Sequence, residues 1–455
     1  MVRASACLRA CEGVCIAAPW RLRTQVGHYH PPVRRTLAIP CICAASIAHG
    51  QPAVGPVGPI SIEQAVQLAL TRNERAAIAE LNVVVADAAL AKARTAFMPV
   101  LVANGAFTWR PQDKPDTITN GALTLTQPLF NPSAFPLYAQ AKHALSAQRA
   151  QTTDDKRQLA FDAAKAYLGV RLADAVVQAA EHKLDTAKAN LKATQDQFDA
   201  KIVSINDVTR AQISYANAVH EHVTDQGALE AAWVQLEFTI NARVPRVLVA
   251  PDSVFSAGER PVVANDALVR RAIASRPDLV AKKDTALAAH DFAREPRWRL
   301  LPTLALVGQL TDTSNPPMNG HALDGSLALT ANWPLYDAGV RYADMRSRDA
   351  SAAIADLNSD ALVRSIDAQV RSAAAVLASA QRALGAAKDA LDASHKSTTE
   401  SQILYQQGLA KAIELVDATE QEFLAEVTYA ESQDAVAQAY LALRQALGDG
   451  PLETP

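Results

Sequence analysis

Hydrophobic positions recur with helical periodicity over two long, proline-free ranges of the chain, residues 137–244 and 335–450. In each range the pattern predicts a leading helix of about 65–70 residues, followed by a shorter returning helix. A helix of that length spans about 100 Å at 1.5 Å per residue, which no globular core buries. We therefore expect each range to fold back on itself as an antiparallel coiled-coil hairpin.

Ahead of each helical range lie two shorter segments in which apolar and polar residues alternate. These four segments are residues 101–110, 122–126, 304–311 and 326–333. One face of each segment is apolar and the other is small or polar, as a membrane barrel around a wet lumen requires. An ordinary sheet whose apolar face is covered by a helix shows the same alternation, and this alternative stays open.

The succession of elements occurs twice, with a period of about 200 residues. Corresponding positions are Pro99 and Pro302, Pro128 and Pro334, Phe198 and Tyr405, and Asp207 and Glu414. Because proline interrupts the helical hydrogen-bond ladder, the four prolines predict the four junctions between helices and strands. The other two pairs lie at the corners between the long helices and the returning helices.

The predicted fold is mainly helical with a small β part. Each repeat begins with a helix, over residues 61–97 in the first and 265–294 in the second. The first repeat is predicted at 51–244, with a β-hairpin at 100–130 and a helical hairpin at 131–244. A linker follows at 245–262. The second repeat is predicted at 263–448, with a β-hairpin at 303–336 and a helical hairpin at 337–448, and a tail follows at 449–455.

The first 50 residues have the character of a targeting segment. A basic Arg34-Arg35 pair, a short apolar run and small residues form the pattern of a secretory signal peptide, which we place at 33–50. Residues 1–32 lack periodicity, and we interpret them as an atypical leader. Our hypothesis is that translation starts at Val33 and leaves this leader out.

Composition and charge exclude several classes of function. The net charge of −3 gives no reason to expect a nucleic-acid surface. All five cysteines lie within the first 43 residues, so the rest of the chain has no thiol ligand or nucleophile. His220 and His222 point in different directions on a helix and make a poor metal pair. With no phosphate-binding loop and no nucleophile motif, we expect no enzyme activity, no cofactor and no metal site.

Four alternating segments are too few to close a membrane barrel, because the smallest single-chain barrels have eight strands. From residue 51 onward no run is apolar enough, for long enough, to form a transmembrane helix. Open strand edges in lipid would leave backbone groups without hydrogen-bond partners. We therefore expect copies of the chain to assemble, with the helices extending the strands into a tube.

The second corner carries the most specific sequence, Tyr405-Gln406-Gln407-Gly408 followed by Glu414-Leu415-Val416-Asp417-Ala418-Thr419. With the tandem duplication and the proline-bounded strand pairs, it resembles the TolC-like outer-membrane efflux protein family over residues 59–448. The resemblance implies a homotrimer with a twelve-stranded β-barrel in the outer membrane of a Gram-negative bacterium and a long periplasmic part. It also implies a passive exit duct for drugs, metals or polypeptides in a tripartite efflux or type I secretion system. The implied partners are a periplasmic adaptor protein, an inner-membrane transporter and outer-membrane lipid.

The same resemblance assigns roles to residues at the corners and near the strand ends. The residues expected at a periplasmic gate are Tyr405, Glu414, Asp417, Asp207 and Lys411. The residues expected to dock the adaptor are Lys201, Ser204, Gly408 and Leu409. The residues expected as interfacial aromatics of the barrel are Trp109, Trp333 and Trp298. Of the gate residues, all except Lys411 are expected to face the throat of the tunnel.

Two positions depart from the family pattern. Ala410 stands where the family has an arginine that ties neighbouring helices at the gate, and Lys201 stands where it usually has glycine. Lys411 is our hypothesis for a substitute, although one position on a helix is about 100° of rotation. The alternative for Glu414 and Asp417 is that acids favour the first turns of a helix because of its dipole.

A second class of function fits the helices alone. A periplasmic or surface coiled-coil protein with a structural or adhesive role would need no pore. That interpretation gives no reason for the proline-bounded strand pairs or for their duplication, so we favour the channel.

Overall fold

The computed structural model describes residues 58–110, 116–262, 266–315 and 321–452. The predicted leader and signal peptide lie outside the described residues, as do the tips of both strand pairs and the end of the tail. All described residues belong to one unit, Val54–Pro455.

The described residues form helices and strands in the order that the two repeats predict. The first set is α1 (Ile62–Arg72), α2 (Glu74–Thr95), β1 (Val100–Arg110), β2 (Asp116–Phe130), α3 (Ala134–Asp199) and α4 (Ile205–Ile240). A short helix lies in the linker, α5 (Asp252–Gly258). The second set is α6 (Asp266–Ser275), α7 (Pro277–Trp298), β3 (Thr303–Thr313), β4 (Leu323–Asn332), α8 (Val340–Gln406) and α9 (Ala412–Leu447). The prediction of a mainly helical fold with four strands is confirmed.

The long helices are those that the proline-free ranges predict. Helix α3 has 66 residues and α8 has 67, and the returning helices α4 and α9 have 36 each. Helix α3 packs against α4 and α8 packs against α9, while α7 contacts both long helices. Among the described residues, no helix combines the length and the apolar character that crossing a membrane requires.

The first helix of each repeat is interrupted, which corrects the prediction of a continuous helix there. Asn73 is extended between α1 and α2, with ψ 133°, and its side-chain amide donates to the Thr239 carbonyl on α4 at 2.8 Å. Arg276 is extended between α6 and α7, with ψ 118°, and Pro277 takes the first position of α7. The first break occurs because the Asn73 side chain is bound to another helix. The second occurs because a proline disfavours helical geometry in the residue before it, here Arg276.

Two prolines lie inside elements and not at their ends. Pro128 was expected at a junction, but it lies inside β2, where the pairing with β3 shifts register between Pro128 and Phe130. Such a bulge tolerates a residue that lacks a backbone N–H. Helix α7 continues past its predicted end at Arg294, through Pro296 to Trp298.

Two hydrophobic clusters hold the middle of the helical hairpins together, and the first of them also includes Ala437 and Leu441 of α9. In the first cluster Phe161, Tyr167 and Leu168 of α3 are buried against α1 and the end of α4. The Tyr167 hydroxyl is within hydrogen-bond distance of the carbonyl oxygens of Ile60, at 3.1 Å, and Val249. In the second cluster the centre of α8 packs against α6 and α9. Neither cluster includes a residue of the two corners.

The four strands form one antiparallel sheet in the order β1-β2-β3-β4. Its register brings the predicted apolar positions onto one face, since Leu101 pairs with Leu125, and Leu123 pairs with Leu310. This face is open to solvent in the single chain, with Leu327 74% exposed. The alternative of a sheet whose apolar face is covered by a helix therefore does not fit the described chain.

Asp434 on α9 is a buried acid whose charge destabilises the fold at neutral pH. Its carboxylate accepts a hydrogen bond from Gln438 at 2.5 Å, and burial raises its pKa from 3.8 to about 6. The pKa of Asp434 is higher in the folded chain than in the unfolded chain. The folded state is therefore most stable when Asp434 is protonated, below about pH 4, and it loses this stability as the pH rises through about 6. We expect Asp434→Asn to raise the free energy of unfolding by about 2 kcal/mol above neutral pH, with little change at about pH 4.

Thermal unfolding of the purified protein at acidic and slightly alkaline pH measures this effect of Asp434. Glu431→Gln removes an exposed acid from the same helix and is the matched control, which should unfold like the original protein at both pH values. An equal change for Asp434→Asn at both pH values would contradict the role of the buried charge.

Candidate functional site at the helical corners

The first corner, residues 200–204, turns the chain from α3 into α4 through a left-handed residue. Lys201 has φ 60° and donates its backbone N–H to the Phe198 carbonyl at 2.8 Å. The next residue, Ile202, donates its N–H to the Gln197 carbonyl at 2.9 Å. This pair of bonds is the Schellman pattern that closes a helix, and it normally has glycine at the left-handed position. A lysine there is strained by roughly 1 kcal/mol relative to glycine.

The second corner, residues 407–411, repeats the same backbone geometry. Gly408 has φ 74° and donates its N–H to the Tyr405 carbonyl at 3.0 Å. Leu409 donates its N–H to the Leu404 carbonyl at 2.8 Å. The two hydrogen bonds that close the helix are therefore the same in both corners, even though only one of them has the glycine.

Asp207 is engaged within its own corner. Its carboxylate accepts hydrogen bonds from the Ser204 backbone N–H at 3.0 Å and from the Ser204 hydroxyl at 2.7 Å. The Ser204 hydroxyl oxygen in turn accepts from the Asp207 N–H, which completes a capping box at the start of α4. The structure thus gives Asp207 and Ser204 a local role in ending one helix and starting the next.

Glu414 occupies the corresponding position in α9, but there is no capping box. The residue before α9 is Lys411, whose side chain makes no capping bond. Lys411, Glu414 and Asp417 are all exposed, and within the described chain their side chains have no hydrogen bond or ion pair. Glu414 and Asp417 are three residues apart and so share one face of α9. These three charged groups are available to a neighbouring molecule.

Tyr405 lies inside the chain, which corrects the expectation that its side chain faces the throat. It is 6% exposed, and its hydroxyl is 3.0 Å from the Thr194 hydroxyl of α3. Since Thr194 donates its own hydrogen to the Asn190 carbonyl at 2.8 Å, Tyr405 is the donor of the pair. Tyr405 therefore joins the two helical hairpins just above the corners, and Thr194 is a partner that sequence reasoning missed.

The corner surface carries unpartnered apolar side chains. Lys201, Ser204 and Gly408 are exposed. Leu409 is 73% exposed, and Ile202, at the equivalent position of the first corner, is 71% exposed. Ile202 lies within the corner range 201–205 that the sequence indicated for adaptor contact, and in both repeats an apolar residue directly follows the left-handed residue. Large apolar groups at an exposed tip are typical of a surface that contacts another protein.

The three tryptophans lie at the two ends of the sheet. Trp109 is next to the last residue of β1 and is 62% exposed. Trp333 follows β4, and its indole N–H donates to the Leu300 carbonyl at 2.9 Å. Trp298 is the last residue of α7 and packs against Phe135 with ring centroids 5.9 Å apart. Trp298 thus belongs to a ring contact where the helices meet the sheet and not to a strand.

Paired helical hairpins joined to an open four-stranded sheet form an architecture that this chain shares with solved structures of outer-membrane channels. The crystal structure of CusC superposes with a TM-score of 0.76 at 19% sequence identity, covering 86% of this chain and 92% of that one. The open state of the Neisseria gonorrhoeae MtrE outer membrane channel gives a TM-score of 0.69 at 20% identity, covering 86% and 89%. At these identities the likeness establishes the fold.

The sequence matches the family model described as outer membrane efflux protein over residues 65–242 and 268–449, and the chain belongs to that family. It is 23% identical to Outer membrane protein TolC of Escherichia coli (strain K12) over 314 residues. The match covers 66% of this chain, and it spans 63% of the length of that relative. The family is one of transport proteins and not of enzymes.

Proposed function

We propose that three copies of this chain form the outer-membrane exit duct of a tripartite efflux or type I secretion system. The observation that carries the proposal is the open sheet, whose apolar face is exposed and whose strands β1 and β4 each pair on one side only among the described strands. Exposed edges and an exposed apolar face are unstable in water, but both are satisfied in a closed barrel surrounded by lipid.

Edge pairing between copies closes the barrel. When β4 of one copy pairs with β1 of the next, three copies give twelve strands, an even number within the range of known barrels. The helix-proximal ends of all four strands lie at one end of the sheet, because the strands are antiparallel and consecutive. The helices of each copy therefore leave the barrel on the same side, where they form a periplasmic tunnel.

The corners form the periplasmic gate of this tunnel. In a trimer the exposed Glu414 and Asp417 form rings of negative charge, which favour cations and repel each other. With Ala410 in place of the family's arginine, Lys411 supplies the compensating charge by pairing with an acid of a neighbouring copy. Tyr405 supports the gate from inside each copy through Thr194.

The exposed tips dock a periplasmic adaptor protein. The apolar side chains of Ile202 and Leu409, flanked by Lys201 and Ser204, offer a hydrophobic contact with a polar rim. The adaptor connects the duct to an inner-membrane transporter, which supplies the energy. The cargo class follows the transporter and includes drugs, metals or polypeptides.

Planar-bilayer recordings on the purified full-length protein test the proposal. A duct produces discrete current steps, and the protein should migrate as a trimer in mild detergent and fractionate with the outer membrane. A protein that is monomeric and produces no current steps would instead support the scaffold or adhesive role. Susceptibility of a deletion strain to drugs, metals and blocked secretion then identifies the cargo class.

A further inference from the structure

Four titratable side chains from three helices meet between the two helical hairpins, and we call them the histidine cluster. They are His182 of α3, His395 of α8, and Glu422 and Glu426 of α9. Glu422 and Glu426 are four residues apart and share one face of α9. His395 lies 11 residues before the end of α8, roughly 17 Å from the second corner at 1.5 Å per residue.

The distances within the cluster are of two kinds. His395 Nδ1 is 2.5 Å from Glu422 Oε1, which is a short hydrogen bond. Glu426 Oε1 lies 3.9 Å from His395 Nε2 and 3.5 Å from His182 Nδ1, too far for good hydrogen bonds. Nitrogen and oxygen ligands of a tetrahedral zinc ion, bound at 2.0–2.2 Å, are separated by about 3.3–3.6 Å. One Glu426 oxygen thus lies near ligand spacing from a nitrogen of each histidine.

The charges around the cluster favour a cation. His182, Glu422 and Glu426 line one open cleft of about 260 Å³, together with Lys183. The Lys183 ammonium is already balanced, because it lies 2.6 Å from Glu221 and 2.5 Å from Glu420. The carboxylates of the cluster therefore keep their negative charge available to an ion.

Ligand atoms of His395, Glu422 and Glu426 all lie within 4.8 Å of one another, and His182 lies outside that group. We propose that the histidine cluster binds a divalent transition-metal ion through His395 Nε2 and Glu426 Oε1, and that His182 Nδ1 completes the ligand set once its ring turns toward the ion. Glu422 holds the His395 ring by accepting the hydrogen of Nδ1, so that Nε2 faces the ion, as carboxylates behind metal-bound histidines do. Imidazole and carboxylate ligands suit Zn²⁺, Ni²⁺, Co²⁺ or Cu²⁺, whereas Mg²⁺ and Ca²⁺ prefer oxygen alone. His182 is 81% exposed in its side chain and is free to adjust its ring to the ion.

The site joins the two repeats of the chain. His182 belongs to the hairpin of α3 and α4, and the other three residues belong to the hairpin of α8 and α9. A bound ion therefore links the hairpins at a level between the buried clusters and the corners. Since the ion binds the folded arrangement and not the unfolded chain, binding stabilises the packing of one hairpin on the other.

Zn²⁺ titration of the purified full-length protein, made without a polyhistidine tag, tests the site. Calorimetry should find one ion per chain, and the thermal unfolding midpoint should rise with added Zn²⁺ but not with Mg²⁺. Glu422→Gln should weaken Zn²⁺ binding about 10–100-fold, and His395→Ala and Glu426→Gln should weaken it further. Co²⁺ should give a visible absorption spectrum that His395→Ala abolishes.

His290→Ala is the matched control. His290 also pairs with a carboxylate between helices, at 2.9 and 3.1 Å from the two oxygens of Asp356, but no third ligand is present in its described surroundings. This variant should bind Zn²⁺ like the original protein. Unchanged Zn²⁺ affinity in His395→Ala, or an equal loss in His290→Ala, would overturn the proposal. Circular dichroism without metal establishes that each variant is folded, and none of these readouts depends on channel activity.

Discussion

Replacing Gly408 with tryptophan is expected to abolish efflux while trimers still accumulate in the outer membrane. Gly408 has φ 74°, and a Cβ built at this position meets no atom within 4 Å. A new side chain there therefore starts from open space at the exposed tip of the corner. The backbone strain is small, roughly 1 kcal/mol, and Lys201 already sustains the same conformation in the first corner. The loss of efflux would come from bulk on the surface that we assign to the adaptor.

Gly408→Ala separates bulk from strain. Alanine has the same left-handed penalty as tryptophan but adds only one methyl group, so this variant should keep most of its efflux. Drug susceptibility of a complemented deletion strain measures efflux, and immunoblots of unheated membranes measure trimers. Normal efflux in Gly408→Trp would mean that the second corner does not contact the adaptor. Missing trimers would mean that Gly408 has a structural role instead.

The architecture was predictable because the patterns that indicate its helices and strands lie within single elements and extend over many residues. Two proline-free ranges of more than a hundred residues leave few alternatives to long helices, and the observed lengths of 66 and 67 residues agree with the prediction. Alternation with a period of two identified the four strands. It also identified which side chains share a face of the sheet, because an apolar residue at every second position places all of them on one side of a strand.

The corrections arise where a distant residue decides the local structure. Asn73 has no strong helix-breaking character, and it ends α1 because its side chain is bound to the Thr239 carbonyl, 166 residues away. Pro128 lies within a strand because β2 itself bulges at Leu129, between the pairs that Pro128 makes with Ala305 and Phe130 makes with Leu304. Neither partner can be read from a window of ten or twenty residues.

At the candidate site, too, local patterns were predictable and contacts between distant residues were not. The sequence located both corners through their spacing, but it gave no indication that Tyr405 is buried against Thr194. The capping role of Asp207 could have been found, because Ser204 and Asp207 have the three-residue spacing of a capping box. The histidine cluster was missed altogether. His182 and His395 are more than two hundred residues apart, and only the packing of α3 against α9 brings their surroundings together.

The double variant Glu414→Gln with Asp417→Asn is expected to remove most of the cation selectivity of the channel. Both carboxylates are exposed and have no partner among the described residues of their own chain. In the proposed trimer they contribute two rings of three negative charges in the narrowest part of the duct. Charged rings in a constriction concentrate cations and exclude anions, because the low-dielectric walls and the small radius strengthen their field. Amide side chains of the same size keep the shape of the throat and remove that field.

Reversal potentials across a KCl gradient in planar bilayers measure the selectivity of the Glu414 and Asp417 rings. The original channel should be clearly cation-selective, and the reversal potential of the double variant should move more than halfway to zero. Lys411→Met provides a control of opposite sign, since removing the nearby positive charge should increase cation selectivity. High salt should shrink both differences, because exposed charges are screened within about 3 Å at 1 M salt. If the double variant and Lys411→Met both leave the reversal potential unchanged, the second corner does not line the conducting path.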